Sequence, residues 1–259
     1  MQALDQAARA ADAGGHPLPT AWPSLSAQGV EIRGSELTVI AGQPAAGKSA
    51  FALATAMRMG VPTLYFCADT AAWTMAIRAI AMTTGMAQDQ VEYKLSSDPH
   101  FADGAFDSIR YIRWCFDSAP TLDDIDDEVA AYEEVWGRQP QLIVIDNLID
   151  VSDGEEEFSA LRRTTKELKF LARNTGAAVL ILHHVTEAVH VAEGNAPGRG
   201  SILGKDTRLP ALVLTITNDQ GFLGVAVVKN RYGKCDPSGR TVTWFTFDGS
   251  RMAINEMEK

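Results

Sequence analysis

Eight consecutive residues, Gly42-Gln43-Pro44-Ala45-Ala46-Gly47-Lys48-Ser49, set two glycines, a lysine and a hydroxyl at the spacing of a phosphate-binding loop. Glycine lets successive backbone N–H groups turn into a concavity that suits phosphate oxygens, and a helix starting there adds its positive end. Lys48 is expected to reach the β- and γ-phosphates of ATP, and the Ser49 hydroxyl to ligate Mg2+. The candidate nucleotide site therefore runs from Gly42 through Ala50. A glycine-rich turn also arises without any ligand, so the flanks decide: a strand must precede the loop and a helix must follow it.

Both flanks are present. Leu37-Thr38-Val39-Ile40 reads as a short apolar strand, and an alanine-rich helix runs to about Met59. A second acid-bearing element supports the first. Asp146 ends the apolar run Leu142-Ile143-Val144-Ile145, where a carboxylate can hold magnesium beside a P-loop. The separation, 146 − 48 = 98 residues, leaves room for two strands between them, which favours the RecA-like subclass over small GTPases.

The remaining text alternates strand and helix. Thr63–Cys67 and Tyr111–Phe116 read as strands, and Ala71–Thr84 as a helix. A further helix opens at Thr121-Leu122-Asp123-Asp124, a capping-box pattern, with Ile125, Val129, Tyr132 and Trp136 on one face. Phe158, Leu161, Leu168 and Leu171 mark another helix, and Ala178–Leu182 another strand. Then the pattern changes: Ala211–Thr217, Leu223–Lys229 and Thr241–Phe247 read as consecutive strands with turns. The fold class is α/β, a RecA-like P-loop NTPase with a mostly parallel sheet flanked by helices and an antiparallel C-terminal extension. Residues 29–259 form the motor domain. Residues 1–28, with Gly14-Gly15 and three prolines, read as an arm or linker: either a frayed terminus or an arm docking on a neighbouring subunit.

At 259 residues the chain suits one large domain. Its three cysteines, Cys67, Cys115 and Cys235, lack metal-ligand spacing, and the first two sit in apolar runs as buried thiols. No signal peptide and no apolar run near the ~20 residues of a membrane span are evident, so a cytoplasmic location is expected. With 23 basic against 33 acidic residues the net charge is −10. That opposes a large basic face for nucleic acid but leaves room for a narrow cationic channel.

From about Val30 to Phe247 the chain resembles the motor domain of DnaB-type replicative helicases. The stretches that carry it are Gly34–Gly42, Leu64-Tyr65-Phe66-Cys67-Ala68-Asp69, Phe116–Leu122, Leu142–Leu148 and Lys229-Asn230-Arg231-Tyr232-Gly233. The resemblance implies a homo-oligomeric ring, ATP bound between neighbours, and loops that pull on single-stranded DNA. It implies Asp69 as general base, Lys229 and Arg231 as cations acting on the next subunit's nucleotide, and His184 as a γ-phosphate sensor. The bland alternative for Lys229 and Arg231 is a solvated hairpin end; for His184, a histidine at a strand end. Two residues depart from the family: Asp69 stands where glutamate is usual, and His184 where glutamine is usual. The pair His183-His184 resembles the RepA hexameric helicases instead. The resemblance does not extend to the N-terminal domain through which larger members meet primase.

Two loops would face a ring's channel. Ser152–Phe158 carries Asp153, Glu155, Glu156 and Glu157, which repel phosphate; His190–Arg208 carries Arg199, Lys205 and Arg208 among glycines, suited to gripping a nucleic-acid backbone. The leading expectation is a ring-forming DNA helicase or translocase. The alternative is an ATPase of the RecA, RadA or KaiC kind that uses nucleotide as an assembly or signalling switch. A metabolic kinase is a weaker third, since it gives the Lys229–Arg231 hairpin no purpose.

Overall fold

The computed structural model describes residues 15–98, 100–151, 157–186, 192–202 and 207–257. Short runs of β-branched and aromatic residues form five strands: β1 (Leu37–Gly42), β2 (Thr63–Cys67), β3 (Ile112–Cys115), β4 (Leu142–Asp146) and β5 (Ala178–His184). All five are parallel, in the order β3-β2-β4-β5-β1, and every residue of β1, β2 and β4 is buried. Continuous apolar strands of this kind require cover on both faces.

That cover comes from the helices. On one face α2 (Lys48–Met59) and α3 (Ala72–Thr84) pack through Phe51, Leu53, Met75 and Ala79. On the other, α6 (Leu122–Trp136) and α7 (Glu157–Thr175) pack through Ile125, Val129, Leu168 and Leu171. The capping box forms as the sequence implies: the Asp124 backbone N–H donates to Thr121 Oγ1 at 3.1 Å, and the Asp124 carboxylate accepts from the Thr121 backbone N–H at 2.8 Å. Trp136 departs from the expected buried face. It is 46% exposed in the last turn of α6 and stacks on Tyr132 at 5.9 Å.

β6 (Leu212–Asp219) runs parallel to β1, and β7 (Phe222–Asn230), β8 (Val242–Asp248) and β9 (Ala253–Glu256) follow antiparallel. β9, α4 (Gln88–Ser97) and α5 (Asp103–Ser108) were not expected from the sequence. Val91 is the one buried residue of α4, so no apolar period marks that helix; it forms a small cluster with Ile80, Ala102 and Ala105.

Residues 15–28, expected as part of an arm, join the motor's own core. The short helix α1 (Pro23–Ser26) buries Leu25, and the preceding Trp22 is 5% exposed between Phe51 and Phe245. Cys67 is buried, but Cys115 is only half-buried; burial pushes both thiols up to about 12. The Phe158 side chain and most of the acidic loop lie outside the described residues. Among the described residues no helix is long and apolar enough to cross a membrane.

Candidate nucleotide-binding site

Parallel strands bring their carboxyl ends to one edge of the sheet, and ligands of open α/β sheets bind at that edge. Here the register aligns Gly42 of β1 with His184 of β5, and Cys67 of β2 with Asp146 of β4. Four short stretches far apart in sequence therefore meet in one place.

The loop leaves β1 at Gly42 and enters α2 at Lys48. Two of its positions need glycine for stated reasons. A Cβ on Gly42 would sit 3.0 Å from the Ile216 carbonyl oxygen, and Gly47 holds φ +91 with Leu223 2.8 Å from where a Cβ would lie. Ala45, at φ 60, adopts a left-handed conformation that an L residue reaches only at some cost. Gln43, Pro44 and Ala45 are exposed, and Ala46 and Ala50 are buried beneath them.

Lys48 is buried, and its ammonium donates to the carbonyls of Gly42 at 3.2 Å and Gln43 at 2.9 Å. Burial holds its pKa below the ordinary lysine range, while Asp146 and Asp69 act in the opposite sense. The Ser49 hydroxyl donates to Asp146 Oδ1 at 3.1 Å, and the Tyr65 hydroxyl to Asp146 Oδ2 at 3.2 Å. Burial pushes the Asp146 carboxyl up to about 6, against those two hydrogen bonds.

The donor set suits Mg2+. A hard cation that keeps water and phosphate ligands needs only one or two protein oxygens, and Ser49 and Asp146 supply a hydroxyl and a carboxylate within hydrogen-bond distance of each other. Among the described residues no group of three or more His, Cys, Asp or Glu forms a separate metal cage.

Asp69 lies two residues beyond β2. The Ala68 N–H donates to the Asp146 carbonyl at 3.0 Å, which carries the chain along β4 and leaves Asp69 exposed at the mouth of the site. Its charge acts on Lys48, Asp146, Asp150 and His184. His184 is half-buried; burial, with the charge of Lys48, lowers its pKa and favours the neutral imidazole at pH 7. His183 is buried.

Two residues of this site escaped sequence reasoning. Asp150 sits in a single 3-10 turn (Leu148–Asp150), where it accepts from the Asn147 N–H at 3.4 Å and interacts with His184 and Asp69. A second acid four residues after Asp146 was the available signal. Tyr65 is fully buried in β2 and had none, because only the pairing of β2 with β4 brings it to Asp146.

Lys229 and Arg231 are elsewhere. β7 runs antiparallel to β6, so its end meets Leu212, which pairs with Thr38 near the start of β1. Both cations lie at the edge of the sheet opposite Gly42, and both have partners within the chain. Lys229 donates to the carbonyls of Thr207 at 2.5 Å, Arg208 at 2.9 Å and Pro210 at 2.6 Å, an arrangement that orders the approach to β6. Arg231 contacts both oxygens of Glu36, at 3.0 and 3.2 Å, and stays 41% exposed; Glu36 also pairs with Lys169 and accepts from the Tyr232 hydroxyl at 2.9 Å.

The cations expected at nucleic acid are likewise dispersed. Arg199 lies in a one-turn helix whose N–H donates to Pro237, Arg208 is exposed beside α7, and Lys205 lies outside the described residues.

Sheet order, P-loop and the carboxylate at the end of β4 define a RecA-like P-loop ATPase domain. The chain belongs to the AAA domain family, whose pattern it matches over residues 27–189. It is 36% identical over 253 residues to the Gene 65 protein of Mycobacterium phage L5, covering 93% of this chain and 94% of that one. To the Gene 65 protein of Mycobacterium phage D29 it is 35% identical over 240 residues, covering 86% and 100%. Among solved structures, its fold matches that of a DnaB-like replicative helicase described with its interactions with primase (TM-score 0.81, 14% identity, 98% of this chain and 67% of that chain). A separately solved ATPase domain matches as well (0.81, 14%, 98% and 96%). The RadB recombinase is more distant (0.62, 16%, 93% and 100%).

Proposed function

We propose that this chain is an ATP-hydrolysing, ring-forming translocase or helicase of the DnaB-like type, acting on single-stranded DNA. The observation that carries the proposal is the position of Arg231. It is bonded to Glu36, and from Glu36 to Gly42 there are 42 − 36 = 6 residue steps. At about 3.3 Å each, roughly 20 Å of strand separates Arg231 from its own P-loop. Head-to-tail packing would bring that arginine to a neighbour's γ-phosphate instead, and such contacts generate rings or helical filaments. When Arg231 swings away, Glu36 keeps Lys169 and Tyr232 as partners.

Within one site, Lys48 binds the β- and γ-phosphates, and Ser49 and Asp146 hold Mg2+. The bound ion supplies positive charge to the phosphate oxygens. Asp69 accepts a proton from the attacking water as its oxygen bonds to the γ-phosphorus; the bond from that phosphorus to the β–γ bridging oxygen breaks and ADP leaves. The neutral His184 reports the γ-phosphate by hydrogen bonding. An arginine acting in trans contributes about 10³–10⁵ in rate by stabilising the transferring group's charge. Lys229 orders residues 207–210, the segment that leads into β6 and lies beside Arg231.

The test is ATPase activity with and without a poly-dT oligonucleotide, together with subunit mixing. Activity should rise several-fold with oligonucleotide. A 1:1 mixture of Lys48→Ala and Arg231→Ala proteins should exceed the average of the two, because some interfaces pair an intact P-loop with an intact arginine. No stimulation, or a mixture no better than the average in confirmed mixed assemblies, defeats the proposal. A second reading, nucleotide as an assembly switch, draws support from the exposed, short carboxylate of Asp69; assembly with ATP without DNA-stimulated turnover would favour it.

A further inference from the structure

The acidic stretch Ser152-Asp153-Gly154-Glu155-Glu156-Glu157 has no part in the nucleotide chemistry, and its four carboxylates would repel nucleic acid from the channel of a ring. Both of its ends are placed. The chain leaves at Val151, next to Asp150, which interacts with His184 and Asp69, and returns at Glu157, the first residue of α7. The stretch therefore departs from the rim of the nucleotide site. Residues 152–156 themselves lie outside the described residues.

The same chain carries a counterpart to this charge. Along α7, Arg162, Lys166, Lys169 and Arg173 recur at intervals of four, three and four, so they share one flank of the helix. They wall a groove of about 470 Å³, with Arg208, Leu209 and Arg231 on the other side. Glu36 pairs with Lys169 and Arg231. The other four cations, Arg162, Lys166, Arg173 and Arg208, are exposed and make no ion pair among the described residues. Like charges three and four residues apart repel along a helix, and an anionic partner relieves that repulsion.

The acidic stretch cannot fill the groove of its own chain. From Glu157 to Arg173 there are 173 − 157 = 16 residue steps, roughly 24 Å at the helical rise of about 1.5 Å. Five residues tied at both ends extend about 10 Å at most, three steps of about 3.4 Å. They can meet Arg162 but fall well short of Arg173. A neighbour's stretch has no such limit. Arg231 lines this groove, and an arginine delivered to the next subunit's γ-phosphate carries the groove around it to that subunit's nucleotide rim, where the acidic stretch departs. We propose that residues 152–157 of one copy dock in the α7 groove of the next, with their carboxylates on Lys166, Arg173 and Arg208. The proposal rests on the reading that Arg231 acts in trans, and it names the surfaces that hold that arginine in place. Charge pairs of this kind fix partner and register more than they add affinity. Pairing also neutralises the acids that would otherwise face the channel.

The experiment is sedimentation velocity of the full chain with Mg2+ and a non-hydrolysable ATP analogue. Glu155→Lys/Glu156→Lys reverses the acidic stretch in one protein, and Lys166→Glu/Arg173→Glu reverses the groove in another. An exposed ion pair changes affinity by about a few-fold, so each double reversal should raise the concentration of half-assembly roughly tenfold. Mixed 1:1, the two variants should assemble near the wild-type concentration, because each acidic or basic stretch then meets an opposite groove on the other protein. A single chain with all four changes should assemble likewise. Rescue in that chain but not in the mixture assigns the stretch to its own groove and overturns the proposal. Loss in only one variant means that its charges face a different surface, such as the outer face of α6 with the exposed Asp123, Asp126 and Asp127 when only the groove variant fails. Assembly unchanged in both variants, or lost in both and restored by neither combination, overturns the docking as well. Each of these outcomes spares the trans-acting arginine; wild-type protein that stays monomeric overturns both.

Discussion

Replacing Trp22 with alanine removes a side chain that fastens the P-loop helix from behind. The indole stacks on Phe51 at 4.9 Å with 10° between planes, meets the edge of Phe245 at 5.1 Å, and donates from Nε1 to Thr55 Oγ1 at 2.8 Å. The Arg58 guanidinium lies 4.2 Å from the ring. Phe51, Thr55 and Arg58 fall at i, i+4 and i+7, so one residue holds successive turns of α2. Truncating a buried aromatic to alanine costs about 3–5 kcal/mol, the ring contacts themselves accounting for roughly 0.5–1.5 kcal/mol of it. Against a total stability of about 5–15 kcal/mol, that should lower the melting temperature by roughly 10 °C. Trp22→Phe retains most of the stacking and should lose about 1–2 kcal/mol, chiefly the Nε1 hydrogen bond and some buried area. Denaturant unfolding followed by circular dichroism measures both. A Trp22→Ala change below about 1 kcal/mol, well under the cost of a buried aromatic, would mean that residues 15–28 are a detachable arm after all, and that their packing on α2 contributes nothing.

Lys48→Ala should abolish binding of a fluorescent ATP analogue at equilibrium, whereas Asp69→Asn should bind it normally and release little phosphate; equal hydrolysis by Asp69→Asn and wild type rules Asp69 out as the base. Glu36→Gln should destabilise the chain by about 3 kcal/mol at pH 7, because the buried Lys169 ammonium loses its counter-charge and keeps only neutral acceptors, the Ser35 carbonyl and the new amide oxygen. The same pair predicts a pH dependence. Burial alone raises the Glu36 pKa, but hydrogen bonds from Lys169 and Tyr232 and the charges of Lys169 and Arg231 outweigh it, leaving the carboxyl below its ordinary 4.5. A depressed folded-state pKa gives stability that is fully present above about 4.5 and is lost as pH falls through the folded value. The gap between wild type and Glu36→Gln should therefore close with acidification; a gap constant from pH 7 to pH 3 refutes the assignment.

Local chemistry made much of this protein legible in the sequence. The P-loop announces itself because backbone N–H groups can converge on phosphate only with glycine at Gly42 and Gly47, and the buried strands because continuous apolar runs have no other stable place. The capping box at Thr121 was equally local. Tertiary structure decided whatever depends on partners distant in the chain. Trp22 read as part of a linker because its contacts lie on α2 and β8, and α4 was silent because it buries one residue. Tyr65 and Asp150 entered the site only when strand pairing and a 3-10 turn delivered them to it. Lys229 and Arg231 were visible as cations, but their partners, Glu36 and the carbonyls of residues 207–210, are set by the antiparallel return of β7. The basic groove went unread for the same reason: helical spacing aligns one wall along α7, and only the chain's return through Arg208 and Arg231 supplies the other.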